Sequence, residues 1–168
     1  NPNGSFSLAA LLNVDSSLNI PDFRAREKTY QEIVSVRDLV AAKGEVIVQT
    51  RFPQDPLFRH LRDDNYDAFA AEELAMRAAL NFPPYSKLLN ILVYGNTDLV
   101  EKVMKIIGES AESVEILGPL EKKTKKGIEY SFLLKHAERK VLHAAARAVV
   151  KRFKNTKDIE IRIDADPY

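Results

Sequence analysis

The spacing of hydrophobic positions changes character along the chain, and each change marks an element. Ser5–Leu12 is a mostly apolar run of strand length, and the polar Asn13–Ser17 is the loop that leaves it. Asp22, just after Pro21, is placed to cap a helix running to about Val40. Gly44 is expected to stop that helix, and Glu45–Thr50 reads as a short β-branched strand. Strand–helix–strand order of this kind belongs to a parallel α/β sheet, which about fifty residues cannot complete. The N-terminal third is therefore expected to be part of a larger lobe. Asp55 opens a short helical turn, and Asp64 or Asn65 opens a second helix over Tyr66–Leu80. Asn81-Phe-Pro-Pro-Tyr85 breaks that helix, because proline lacks the amide donor and forces the preceding residue out of helical space. A domain boundary is expected near the double proline.

Beyond it the pattern is clearest. Leu88–Tyr94 is a strand, and Gly95-Asn-Thr-Asp98 is a turn that also caps the next helix. That helix, Leu99–Ala111, places Leu99, Val103, Ile106 and Ile107 on one face. A strand Val114–Leu117, a polar lysine-rich turn, a strand Ile128–Lys135 and a second amphipathic helix Glu138–Phe153 follow. Ile159–Asp164 alternates strictly, with three isoleucines inward and Glu160, Arg162 and Asp164 outward. The order βαββαβ predicts an α+β, split-βαβ domain with two helices on one face of a four-stranded antiparallel sheet. No internal repeat beyond the βαβ doubling and no low-complexity tract is present.

Composition narrows the function classes. The chain has 168 residues, 45% hydrophobic and 29% charged, which argues against disorder, and it has no cysteine. A disulfide scaffold and a thiolate zinc site are excluded, and a reducing, cytoplasmic compartment is the default. No apolar run approaches the ~20 residues of a membrane span, so no membrane partner is expected. The opening Asn1-Pro-Asn-Gly-Ser5 lacks a basic n-region and reads as an internal cut, not a signal peptide. Net charge is only +1, but residues 119–162 hold thirteen Lys/Arg against five Asp/Glu, while residues 1–80 hold nine against twelve. A basic lobe on an acidic body fits either a polyanion partner or a solvated lysine-rich surface.

The second amphipathic helix makes the choice. Lys140, His143, Arg147, Lys151 and Lys154 fall within an arc of about 80°, and Leu142, Ala145, Ala146, Val149 and Phe153 lie opposite. Like charges a turn apart repel by a few tenths of a kcal/mol per pair, and only Glu138 intersperses an acid. The stripe is read as phosphate-facing, positioning nucleic acid without reading its sequence. Lys122, Lys123, Lys125 and Lys126, in Glu121-Lys-Lys-Thr-Lys-Lys-Gly127, form a second basic feature, either phosphate contacts or a soluble loop. His60, His136 and His143 lack metal-site spacing, and no metal site is expected. Asp164 and Asp166 read as strand end and turn. No Gly-rich phosphate loop, G-x-S-x-G elbow or H-E-x-x-H is present, so no catalytic residue is assigned. Aromatic residues are not interleaved with the basic runs, which weakens a base-stacking reading.

Two stretches carry a family resemblance. Leu11-Leu-Asn-Val-Asp15, Pro21-Asp-Phe-Arg-Ala-Arg-Glu27 and Thr29-Tyr-Gln31 are similar to the segment between helicase motifs V and VI of the primosomal protein N′ (PriA) family of replication-restart DNA helicases. Tyr66-Asp-Ala-Phe69, Glu72-Glu-Leu74, Arg77, Leu80, Phe82-Pro-Pro-Tyr85, Leu117-Gly-Pro119 and Asp164-Ala-Asp-Pro167 resemble that family's C-terminal domain. The resemblance implies a RecA-like remnant of helicase lobe 2 over 1–62, a connecting helix and Pro-Pro linker over 63–86, and a ribosomal-S10-like domain over 87–168. It implies ATP-driven 3′-to-5′ unwinding by the whole protein, with Mg, and a structural Zn in a module absent here. The implied partners are branched or forked DNA, the C-terminal tail of single-strand-binding protein (SSB) and other primosome proteins, in a bacterial cytoplasm. The family arginine that meets the SSB tail matches Arg139, and a glutamine found one turn later in some members falls on His143.

One departure from the pattern bears on catalysis. The two motif VI arginines that would face an ATP γ-phosphate fall on Leu39 and Ala42, with Arg37 out of step. Aliphatic side chains cannot replace that charge, and the Walker motifs are missing. As it stands the chain is not expected to hydrolyse ATP. The competing reading is a non-catalytic βαββαβ module that binds a protein or small ligand, with its contact on the sheet.

Overall fold

A computed structural model describes residues 6–95, 98–111, 113–125, 127–156, 159–165 and 167. Ser5, the turn residues Asn96 and Thr97, Lys126 and Asp166 lie outside the described residues. The chain divides into two compact units, Asn1–Met76 and Arg77–Tyr168.

In the first unit, β1 (Phe6–Leu11) pairs in parallel with β2 (Val40–Val48), joined through α1 (Asp15–Leu18) and α2 (Ala25–Arg37). α3 (Pro56–Arg62) and α4 (Tyr66–Ala79) follow. Three boundaries differ from the sequence expectation. The loop after β1 contains the helical turn α1. Asp22 is not the cap of α2, which starts at Ala25; its carboxylate instead accepts from the Arg24 backbone amide at 2.8 Å and from Lys28 Nζ at 2.6 Å. Gly44 lies inside β2 and ends no helix, because Val40 already pairs with Phe6 and strand pairing outweighs the helical period beyond Arg37. The register jumps there from Phe6↔Val40 to Leu8↔Glu45. A Cβ on Gly44 would sit 2.4 Å from Val40 Cγ1 and 2.7 Å from the Ser7 carbonyl, so only glycine fits this irregularity.

Caps at α3 and α4 agree with the sequence. The Asp55 carboxylate accepts from the Leu57 amide at 2.9 Å, and the Asn65 side chain accepts from the Ala68 amide at 3.0 Å. Val14, Tyr30, Ile33, Leu57 and Phe69 form the core, with the Tyr30 and Phe69 rings stacked 4.3 Å apart. Arg26 holds this unit's polar side together, donating to Glu73 at 2.7 Å and Asp55 at 2.8 Å. His60 is buried against Glu72 at 2.9 Å, which gives that histidine a structural role.

The second unit has the order β3 (Lys87–Tyr94), α5 (Asp98–Ser110), β4 (Glu115–Thr124), β5 (Gly127–His136), α6 (Arg139–Phe153), β6 (Glu160–Ala165). The sheet runs β4-β5-β3-β6, antiparallel throughout, so β4 and β6 are its edges. Leu89, Ile91 and Val93 of β3 and Tyr130, Phe132 and Leu134 of β5 meet Leu99, Val103 and Ile107 of α5 and Leu142, Ala145 and Val149 of α6 in one core. The period-2 and period-3.6 stripes of the sequence both end here, which is why these elements were legible. β4 is longer than its expected Val114–Leu117: it continues through the lysines to Thr124, after an irregularity at Gly118-Pro119. Gly118, at φ +113°, lies where a Cβ would be 2.6 Å from the Ser131 carbonyl.

On the other side of this sheet, Lys135 is buried at 3% exposure. Its ammonium donates to the Leu80 carbonyl at 2.9 Å, pairs with Glu115 at 2.8 Å and lies 4.4 Å from the Phe82 ring centroid. Ser86 Oγ donates to the Asn81 carbonyl at 2.6 Å. One charged group thus ties the Asn81-Phe-Pro-Pro-Tyr85 segment to β4 and β5, and it supplies a physical reason for that motif.

Two consequences can be measured. Asp15 is buried and accepts from Thr50 Oγ1 at 2.6 Å and from the Arg51 backbone amide at 3.0 Å. Those hydrogen bonds, Thr50 foremost, hold its carboxyl below the ordinary 3.8 against the opposing effect of burial. A lowered folded-state value contributes stability above the ordinary value and loses it as pH falls through the lowered one. Asp15→Asn should therefore destabilise the chain near neutral pH in urea unfolding, and the gap to the parent should close below about pH 4. Lys135→Met should cost about 1–3 kcal/mol by leaving the Leu80 carbonyl without its donor. An unchanged urea midpoint would remove Lys135 from the account of the linker.

Candidate nucleic-acid and peptide interface

α6 presents its apolar stripe to the core and its cations to solvent. Leu142, Ala145 and Val149 are fully buried, while Arg139, Lys140, His143, Arg147, Lys151, Arg152 and Lys154 are exposed. Glu138 precedes the helix in extended backbone without a side-chain cap, and its amide donates to His136 Nδ1 at 2.9 Å. Its carboxylate meets Lys140 Nζ at 2.7 Å. That contact lowers Glu138 and raises Lys140 from their ordinary values, leaving both charged at neutral pH. Lys140 is thus partly neutralised by Glu138, while Glu109 of α5, paired with Lys105 at 3.8 Å, lines a hollow shared with Lys151 and Arg152. No carboxylate faces Arg147, Lys151 or Lys154 in any ion pair among the described residues.

Beside the stripe lies an open hollow of about 700 Å³, lined by Leu89, Ile163 and Ala165 from the sheet and Val150 from α6. His143, Arg147, Lys151 and Lys154 form its rim. The sequence reading missed the hollow. Its signal was present at Val150, which falls at the edge of the basic arc on the helical wheel, and at Ile163, read as fully inward. Ile163 is 39% exposed and Val150 41%, because β6 is the last strand and α6 does not extend over its end.

The lysines of the hairpin are placed differently. Lys122 and Lys123 lie on β4 opposite Glu129 and Ile128, so their side chains alternate to opposite faces of the sheet. Lys125 sits in the turn, and Lys126 lies outside the described residues. On the face of Lys122, Glu129 is bonded by the Tyr94 hydroxyl. Arg162 is raised from its ordinary value by its bond to Tyr94 and by neighbouring carboxylates. β4 and β6 are three strand spacings apart, about 14 Å, so the hairpin and the helix stripe occupy opposite edges of the sheet.

The positions matching the motif VI arginines do not supply cations for a nucleotide. Leu39 is 54% exposed after α2, Ala42 lies in β2, and Arg37 is bonded to Asp64 at 2.8 Å. Among the described residues no group of three or more His, Asp or Glu side chains is arranged to hold a metal. No helix among them is long and apolar enough to cross a membrane.

The model of the primosomal protein N C-terminal domain family matches residues 78–168. A Synechocystis protein named replication restart protein PriA is 35% identical over 122 residues, 67% of this chain and 15% of its own length. The Haemophilus influenzae protein of that name is 32% identical over 174 aligned positions, 96% of this chain and 24% of the relative. The Bacillus subtilis one is 27% identical over 177, again 96% of this chain and 22% of the relative. The chain therefore spans about a quarter or less of the length of the relatives it matches.

Proposed function

Because this chain belongs to the primosomal protein N′ (PriA) family and carries its C-terminal domain, we propose that it serves replication restart as a docking module for branched DNA and SSB. The observation that carries the reading is the row of exposed cations along α6, of which Arg147, Lys151 and Lys154 make no ion pair among the described residues. Ammonium and guanidinium groups a helical turn apart match the needs of a phosphate backbone, which is bound by charge and without sequence readout. Lys122, Lys123 and Lys125 provide a second set of phosphate contacts at the opposite edge of the sheet, and Lys126 is assigned to the same set by its place in the sequence. Arg139, at the start of α6, receives the terminal carboxylate of the SSB tail, with His143 one turn on.

Residues 1–62 are assigned to a RecA-like helicase lobe 2, 63–86 to the connection and 87–168 to an S10-like domain. The exposed Phe6, Leu8 and Ile47 on a two-stranded parallel sheet support the first assignment, since parallel sheets are ordinarily covered on both faces. ATP, Mg and Zn belong to parts of the family outside this chain, and no ATP turnover is assigned to it alone. The compartment assigned is the bacterial cytoplasm, where the other primosome proteins act.

The test is the salt dependence of fork-DNA binding by the full chain. Lys140→Glu, Arg147→Glu and Lys151→Glu together should weaken binding, and each lost duplex phosphate contact should remove roughly 0.9 from the log–log slope. A slope equal to that of the parent would overturn the reading of the α6 row.

A further inference from the structure

We propose that the open edge of β6, together with the hollow beneath α6, accepts an extended acidic peptide as an added strand of the sheet. β6 pairs with β3 alone, and no strand among the described residues covers its other edge. Such an edge offers a row of amide donors and carbonyl acceptors ready to pair. Edges without a binding role are usually blunted on their inward side, whereas here that side is apolar: Ile163 and Ala165 open into the hollow beside Val150.

The dimensions suit a strand. From His143 to Lys154 the rim runs about 16 Å along the helix, room for about five extended residues, and β6 itself has 6. The rim sets the charge of the occupant. His143, Arg147, Lys151 and Lys154 overhang the hollow, and no carboxylate lines it. An inward-facing pattern of apolar residues flanked by acids would fill the floor and reach those cations. The outward side meets Glu160, Arg162 and Asp164, of mixed sign, and sets little preference. A nucleic acid is the poorer occupant, because no Phe, Tyr or Trp ring lines the hollow as a platform for a base and a phosphate would leave the apolar floor wet. The inference goes beyond the DNA and SSB readings: it uses the β6 backbone, which neither of them requires, and it needs no free carboxyl terminus.

The probe is an acetylated and amidated peptide, Glu-Thr-Val-Thr-Leu-Thr-Glu, labelled with a fluorophore and titrated against the full chain. Two further versions carry N-methyl groups on one or the other alternate set of backbone amides, and a fourth replaces both acids by lysine. The parent peptide should bind and slow amide exchange along β6. One N-methylated set should weaken binding roughly tenfold or more, by removing two or three ladder hydrogen bonds, and the other set should bind like the parent. The lysine version should not bind, and Val150→Asp or the pair Lys151→Glu and Lys154→Glu should weaken the parent. Equal binding by both methylated sets, or no binding by the amidated parent, overturns the proposal, even where the salt slope on DNA behaves as expected. Protection of β6 on raising protein concentration alone would give the edge to a second copy of the chain. Protection by fork DNA alone would give it to nucleic acid. Either outcome also overturns the proposal.

Discussion

Leu142, Ala145, Val149 and Phe153 must reach one side of α6 to close the core over Leu89, Ile91, Phe132 and Leu134. That requirement turns the remaining positions of the helix toward solvent. Burying each large apolar side chain is worth about 1.5–3 kcal/mol, while the repulsion between like charges a turn apart costs a few tenths per pair. The packing therefore dominates by several-fold, and a row of cations can be carried without loss of the fold. The same geometry opens the hollow. The helix covers the middle of the sheet, β6 is its edge, and Ile163 and Val150 are left half-covered beneath Arg147, Lys151 and Lys154.

Lys135 plays a comparable part on the other face. Its single ammonium meets a carbonyl, a carboxylate and an aromatic ring, all from elements flanking β5 or the segment before β3. A buried charge is costly unless it is satisfied this fully. The Phe-Pro-Pro-Tyr block, which carries much of the family resemblance, is thus part of the packing of the C-terminal unit.

How much of this could be read beforehand depended on period. The strands Leu88–Tyr94 and Ile128–Lys135 and both long helices of the second unit announced themselves, because one face of each is buried and the pattern records it. The orientation of the basic row on α6 followed from the same wheel. Elements were misplaced where burial is weak or backbone geometry decides. Gly44 looked like a helix stop but serves a strand irregularity that only the partner strand β1 creates. β4 looked like a turn at its lysines because most of that edge strand is exposed, leaving no apolar alternation to mark it. The hollow was missed for a different reason: strict alternation at Ile159, Ile161 and Ile163 says which face is inward, but not where the helix above it ends, and Val150 beside the basic arc was its one further sign.

The central claim is that the α6 cations meet a polyanion while the hairpin at the other edge is secondary. Lysine acetylation footprinting of the full chain, with and without fork DNA, tests it most directly. The account predicts strong protection of Lys151 and Lys154, weaker protection of Lys140 because Glu138 already holds it, and less at Lys122 and Lys123. Unchanged labelling along α6 in the presence of bound DNA would contradict it.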